Sequence, residues 1–361
     1  MTRVPDLDNA SGGIVEKYLK FPAMIVFFAI FACGSSETPA DKINDSSVTL
    51  LTHDSFAVSE GLFDTFTSET GIAVEQLSLG DTGQLISSSI LTKQNPLGDV
   101  IFGIDNTFLG RALNADIFSP YTSSLESKII NGLTYKKSDY LTPIDYGHVC
   151  VNYWKSSFSD SFPPPSSIND LLDPSYASLL VVQNPETSSP GLAFLLASIS
   201  YFGSGWINFW ELLTKNGVSV TSDWESSYYG DFISGGGEKA VVVSYASSPI
   251  AELIYSDPPV EVSPTGIIED TCFKQIEYAG ILKNTQKRYE AELLIDFLLS
   301  RQFQEDIPLN MFMMPVSAEA SLPDQFANYP SISEDLNTLS PAEIETSRNK
   351  WTEIWTETVL R

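Results

Sequence analysis

Basic residues are scarce in this chain. Its 361 residues include 20 Lys and Arg against 46 Asp and Glu, a formal charge of −26 at pH 7. Such a surface repels a phosphate backbone, which excludes nucleic acid as a partner. The acidity is compatible with a cationic ligand, and it equally serves solubility. Histidine and cysteine are scarcer still. Two histidines, His53 and His148, and three cysteines without a Cys-x-x-Cys spacing are too few to build a structural zinc site. Long apolar runs are also missing. Residues 23–32 (AMIVFFAIFA) form a run of ten, whereas a membrane helix needs roughly 20. No other run is long and apolar enough to span a bilayer, and no internal repeat is visible.

What is present begins with that short run. It lies behind Lys17 and Lys20 and ahead of a polar tail, GSSETPADKINDSS. Its size is that of a signal-peptide core. Ile30, Phe31 and Ala32 ahead of Cys33 resemble a bacterial lipobox, with Phe31 an unusual middle residue. Cleavage before Cys33 would leave a lipidated cysteine on a flexible tether. The expectation is a leader at 1–33, a tether at 34–46 and a lipid-anchored domain at the periplasmic or cell-surface side of a membrane. Residues 1–13 read as neither signal nor domain, as if the start were placed too far upstream. The remainder suits two lobes of roughly 100–200 residues each.

Beyond the tether, residues 48–52 (VTLLT), 72–79 (IAVEQLSL) and 99–103 (DVIFG) read as strands, with helices at 61–70 and 84–93. This alternation predicts parallel βαβ units and an α/β fold. Ligands of such sheets meet the loops beyond the strand C-termini. Those loops are His53-Asp54-Ser55, the GDTG turn at 80–83 and Asp105-Asn106. An extended aromatic segment, 141–154, and a Ser/Pro-rich loop, 156–167, interrupt the rhythm. It then restarts with strands at 179–183 and 241–245 and a helix from Pro190, N-capped by Ser189. Residues 273–282 read as extended and 289–300 as an amphipathic helix. Gly235-Gly236-Gly237 is a turn, because no Lys-Ser/Thr follows to make a phosphate loop. The pattern predicts a second lobe inserted into the first, with connections near 145–151 and 271–276.

The segments THDSFAVSEG, DVIFGIDNTFL, PIDYGHVCVNY, QNPETSSPGLAFLL, TSDWESSYYGDF, VVVSYASSP and FQEDIPLNMFMMPV follow one another from about residue 48 to 316. In that order they resemble the thiamine-binding proteins of bacterial ABC transporters. The tail SPAEIETSRNKWTEIWTETVL is similar to that family's C-terminal helix. The resemblance implies a two-lobed type II periplasmic-binding-protein fold with a hinge and an interlobe ligand cleft. Lobe I would comprise 47–149 and 273–361, and lobe II 150–272. It also implies a carrier rather than an enzyme, without a cofactor, that passes thiamine or its mono- or diphosphate to a permease driven by a separate ATPase.

The ligand residues that the resemblance implies are Asp81, Thr82, Ser188, Ser189, Trp224, the stretch Tyr245, Ala246, Ser247 and Ser248, and Phe312. Asp54, Asp105 and Asp145 are candidate counter-charges. The chemistry is coherent, since a flat cation is held by ring faces, each contact contributing roughly 0.5–2 kcal/mol, together with a carboxylate. Ser188 and Ser189 precede a helix whose free N–H groups suit a phosphate or simply a capping hydroxyl. Thr82 stands where the family tends to carry Gly, and Phe312 where relatives carry Trp.

Other chemistries draw on the same residues. The adjacent Tyr228-Tyr229 pair with acidic neighbours suits ferric iron. A polyamine would require carboxylates at both ends of an elongated pocket. A thiaminase-like enzyme would use Cys150 as nucleophile, with His148 on the same strand face, although the flanking valines point to a buried strand. Cys150 and Cys272 both fall near the expected lobe connections. They form a disulfide if their Cα atoms come within about 7 Å, and are free thiols otherwise.

Overall fold

Strand β1 (Ser46–Thr52) opens the fold and pairs in parallel with β2 (Ile72–Ser78) and β3 (Val100–Asp105). The computed structural model describes residues 46–133, 139–333 and 336–361. The leader, Cys33 and tether residues 34–45 lie outside the described residues. Helix α1 (Leu62–Thr70) connects β1 to β2, and α2 (Thr82–Leu91) connects β2 to β3. Every residue of β3 is buried, as expected for a parallel strand covered on both faces. Helix α3 (Leu109–Asn114) and the short β4 (Phe118–Ser119) follow.

The long β5 (Thr142–Trp154) leads to α4 (Pro174–Ala177) and a second parallel group. That group consists of β6 (Leu180–Gln183), β7 (Ser219–Thr221) and β8 (Val241–Tyr245), with α5 (Ser189–Phe202) and α6 (Trp206–Lys215) between β6 and β7. Residues 189–199 of α5 are all buried, which explains why this helix is apolar all round. Helix α7 (Ser248–Tyr255) precedes β9 (Thr265–Leu282). The chain ends with α8 (Arg288–Leu298), α9 (Arg301–Asn310), β10 (Met314–Pro315) and α10 (Pro341–Val359).

The ten strands among the described residues join one mixed sheet in the order β2-β1-β3-β9-β5-β8-β6-β7, with β4 on β9 and β10 on β5. Its two ends are parallel. Its centre, β3-β9-β5-β8, is antiparallel. The βαβ groups foreseen in the sequence are therefore two wings on a shared pair of long strands. The structure is an α/β fold of the type II periplasmic-binding-protein architecture.

The shared pair is irregular at one point. Val149 opposes Phe273, yet Val151 opposes Ile268, so β9 carries extra residues between them. Thr271 fills the interrupted ladder, accepting from the Val151 N–H at 2.8 Å and donating to the Ile268 carbonyl at 2.6 Å. The sequence reading placed an extended segment only at 273–282, because the polar Glu269-Asp270-Thr271 run reads as loop. Cys150 and Cys272 meet at this bulge in a disulfide, with Cα atoms 4.1 Å apart. Helix α5 differs in its cap. Ser188 occupies the N-cap without a side-chain bond, and Ser189 instead turns its hydroxyl to Asp105.

Candidate ligand-binding site

The loops beyond β1, β2, β6, β7 and β8 surround a cavity of about 580 Å³. Asp81 gathers three of them. It N-caps α2 by accepting from the Thr82 N–H at 2.7 Å, and its other oxygen accepts from the Trp224 N–H at 3.3 Å. The Ser189 N–H approaches it at 3.5 Å. The start of α5 thus already faces a carboxylate of the chain, where the sequence had offered room for a phosphate. Burial raises the Asp81 pKa, while donors around it and His53 oppose that rise.

His53 follows β1 and stands 3.5 Å from the Glu277 carboxylate. Gly103 makes room for it: a Cβ at that position, where φ is +97°, would lie 2.2 Å from His53 Cδ2. Burial alone would lower the His53 pKa. Glu277, with Asp81 and Asp54 beyond, outweighs burial and raises it. Asp54 is exposed at the rim and accepts from the Gly80 N–H at 3.1 Å.

The opposite wall is aromatic. Trp224 stacks on Tyr228 with centroids 4.9 Å apart and meets Tyr245 at 6.1 Å and 68°. Its indole N–H donates to Ser244 Oγ at 3.0 Å, which fixes the ring on β8. Ser244 and Ser248 share a hydrogen bond at 2.8 Å, and the Tyr245 N–H donates to Ser248 Oγ at 3.2 Å. Tyr228 donates to Glu252 at 2.7 Å, and burial pushes its phenol well above the ordinary range. Tyr255 and Phe312 close the far side, 5.7 Å apart.

Asp54, Asp81, Thr82, Ser189, Trp224, Tyr245, Ser247, Ser248 and Phe312 therefore share one cavity. Ser188, Ala246 and Asp145 do not reach its wall, and each is fully buried. Ser188 sits under the turn before α5, and Ala246 packs beside the disulfide. Asp145 lies beneath Glu277, directly opposite it across β5 and β9. Asp105 lies opposite Glu277 on the other side, across β3 and β9. Burial raises the Asp105 carboxyl to about 6, and burial with the Glu277 charge holds Asp145 well above the usual range.

Sequence reasoning passed over Glu225, Glu252, Tyr255 and Glu277, all of which line the cavity. Glu277 carried a signal, since with Gln275 it places polar side chains on one face of a buried strand. Asp54, Asp81, Glu225, Glu252 and Glu277 put five carboxylates on the lining, and no Lys or Arg is among the residues described there. Cys150 is bonded to Cys272, 1% exposed and absent from the lining. The thiaminase-like reading of Cys150 is thereby overturned.

Residues 95–335 match the bacterial extracellular solute-binding protein family. The chain belongs to that family. Its members are carriers outside the cytoplasm rather than catalysts, and membership implies an ABC permease as partner. The chain is 28% identical over 320 residues to the thiamine-binding periplasmic protein of Salmonella typhimurium, covering 87% of this chain and 94% of the relative. It is 27% identical over 337 residues to the protein of the same name from Brucella suis, covering 92% and 97%. Among solved structures, a periplasmic thiamin binding protein superposes with a TM-score of 0.77 at 26% identity, covering 87% of this chain and 96% of that one.

Proposed function

We propose that this solute-binding protein captures thiamine in the cavity beneath Trp224 and Tyr245. The observation that carries the reading is the pairing of an aromatic wall with five carboxylates, with no Lys or Arg among the described lining residues. A thiazolium ring is flat and permanently cationic, so it gains from ring faces and from negative charge at once. The names of the relatives point to the same ligand. The lining also favours the unphosphorylated form. A diphosphate would bring negative charge against Asp81, Glu225 and Glu277, with His53 the one basic partner among the described lining residues.

The proposed closure uses the shared strands. Lobe I, at 47–149 and 273–361, and lobe II, at 150–272, would hinge where β5 and β9 lose register. A bound cation contacting both would favour the closed form, which the permease recognises. Cys33 would hold the carrier at the membrane through its lipid.

Isothermal titration against thiamine, thiamine monophosphate, thiamine diphosphate, spermidine and ferric ion tests this reading. Saturable one-to-one binding of thiamine, tighter than that of the other compounds, is the expected result. Tighter binding of spermidine or ferric ion would replace thiamine as the ligand.

A further inference from the structure

A second groove, of about 750 Å³, shares no lining residue with the first. Helix α2 forms one side through Ser87 and Ser88, α3 contributes Arg111, and α10 supplies Arg348 and Asn349. The turn 186–187 closes the end. Gly83 allows that closure: its N–H donates to the Thr187 carbonyl at 2.9 Å, and a Cβ there would lie 2.4 Å from the Glu186 carbonyl oxygen.

Two guanidinium groups converge here in a chain where acids outnumber bases by 46 to 20. Arg348 is 7% exposed and lies 4.3 Å over the Phe108 ring. One terminal nitrogen donates to Asn349 Oδ1 at 3.2 Å, while its buried Nε has no partner. Arg111 donates from one nitrogen to Ser87 Oγ at 2.9 Å, leaving the rest of its fork free. Among the described residues no carboxylate lies within ion-pair distance of either. Burial and the neighbouring Arg111 charge bring Arg348 down to about 10, with the Asp105 and Glu186 charges opposing them. Those carboxylates lie beyond direct contact, so a buried guanidinium with an open N–H and a like charge beside it gains further when an oxyanion bonds to both.

We propose that this groove binds a small oxyanion of the phosphate class between Arg111 and Arg348. Planar guanidinium forks match such oxygens in pairs, with two charge-assisted bonds per fork. Glu186 and Glu353 stand on the lining without pairing to either arginine, and there they can accept from a protonated phosphate oxygen. The occupant tethers α3, α10 and the turn leading into α5.

Thermal unfolding of the full chain in increasing inorganic phosphate, with chloride holding ionic strength constant, tests the proposal. A saturable rise in midpoint is expected for the unaltered protein. Arg111→Gln should weaken the apparent phosphate affinity about ten-fold or more and leave thiamine titration unchanged. Arg111→Lys, which keeps the charge but not the fork, should fall between the two and covers the case in which Arg111→Gln folds poorly. Absence of a saturable rise, or an undiminished response in both variants, overturns the proposal.

Discussion

Asp145 and Glu277 face one another across β5 and β9, with neither Asp145 oxygen hydrogen-bonded. Asp105 stands on the other side of Glu277, so three carboxylates cross the sheet beneath the cavity. Their mutual repulsion is relieved by a proton or by a bound cation. Acidification should therefore weaken thiamine binding. Asp105, raised to about 6, and His53, also raised, both take up a proton as pH falls. Each adds positive charge near the ligand, and we expect affinity to drop by about ten-fold between pH 7.5 and pH 5. Titration calorimetry across this range checks it, and a flat profile would separate these groups from the site.

The same groups set the stability of the empty protein with the opposite trend. Their folded pKa values lie above the unfolded ones, so the folded state binds more protons. Stability should rise as pH falls from about 7 to about 4, as Asp105 and His53 bind protons, then decline below about 4 as groups such as Asp170, whose pKa is lowered, become protonated. Chemical denaturation at several pH values measures this. A monotonic loss of stability on acidification would contradict it.

Trp224→Ala should weaken thiamine binding by about 1–3 kcal/mol, or roughly 5- to 150-fold. The indole forms the wall with Tyr228 and Tyr245, and its loss leaves the ligand one face short. An unchanged dissociation constant would place the ligand elsewhere.

Glu277→Gln should weaken thiamine more than it weakens thiamine diphosphate, because the removed charge attracts one and repels part of the other. A change in their affinity ratio, read by competitive titration, distinguishes this from general disturbance of the site. Equal loss for both would mean that Glu277 shapes the cavity without selecting charge.

The disulfide closes a loop of 122 residues at the irregular step of β5 and β9. Replacing Cys150 and Cys272 together by Ser should cost about 3–5 kcal/mol of stability. Both positions are buried outside the cavity lining, so thiamine affinity in the folded variant should stay within a few-fold. Equal stability with and without the bridge would show that it is dispensable.

The strands and helices that alternate in the sequence were legible because each carries its own period and its own Gly or Pro boundary. Ile72–Ser78 and Val241–Tyr245 are examples. The N-terminal half of β9 was not, since residues 265–268 pair with β5, a strand distant in sequence, ahead of the polar bulge at 269–271. Loop residues such as Asp81 and Trp224 stood out through motif order. Glu225, Glu252 and Glu277 did not, because their meaning depends on which strands become neighbours. Ser188 and Ala246 lie beside cavity residues in the sequence but are buried away from the wall, and Asp145 meets the site only through Glu277 opposite it on β9. No period of the chain reports that distinction.

A crystal structure of the protein with thiamine bound tests the central claim most directly. The account predicts the thiazolium ring against Trp224 and Tyr245, with Asp81 or Glu277 as the nearest carboxylate. Thiamine bound outside this cavity, or inside it with the cationic ring turned away from every carboxylate, would contradict it.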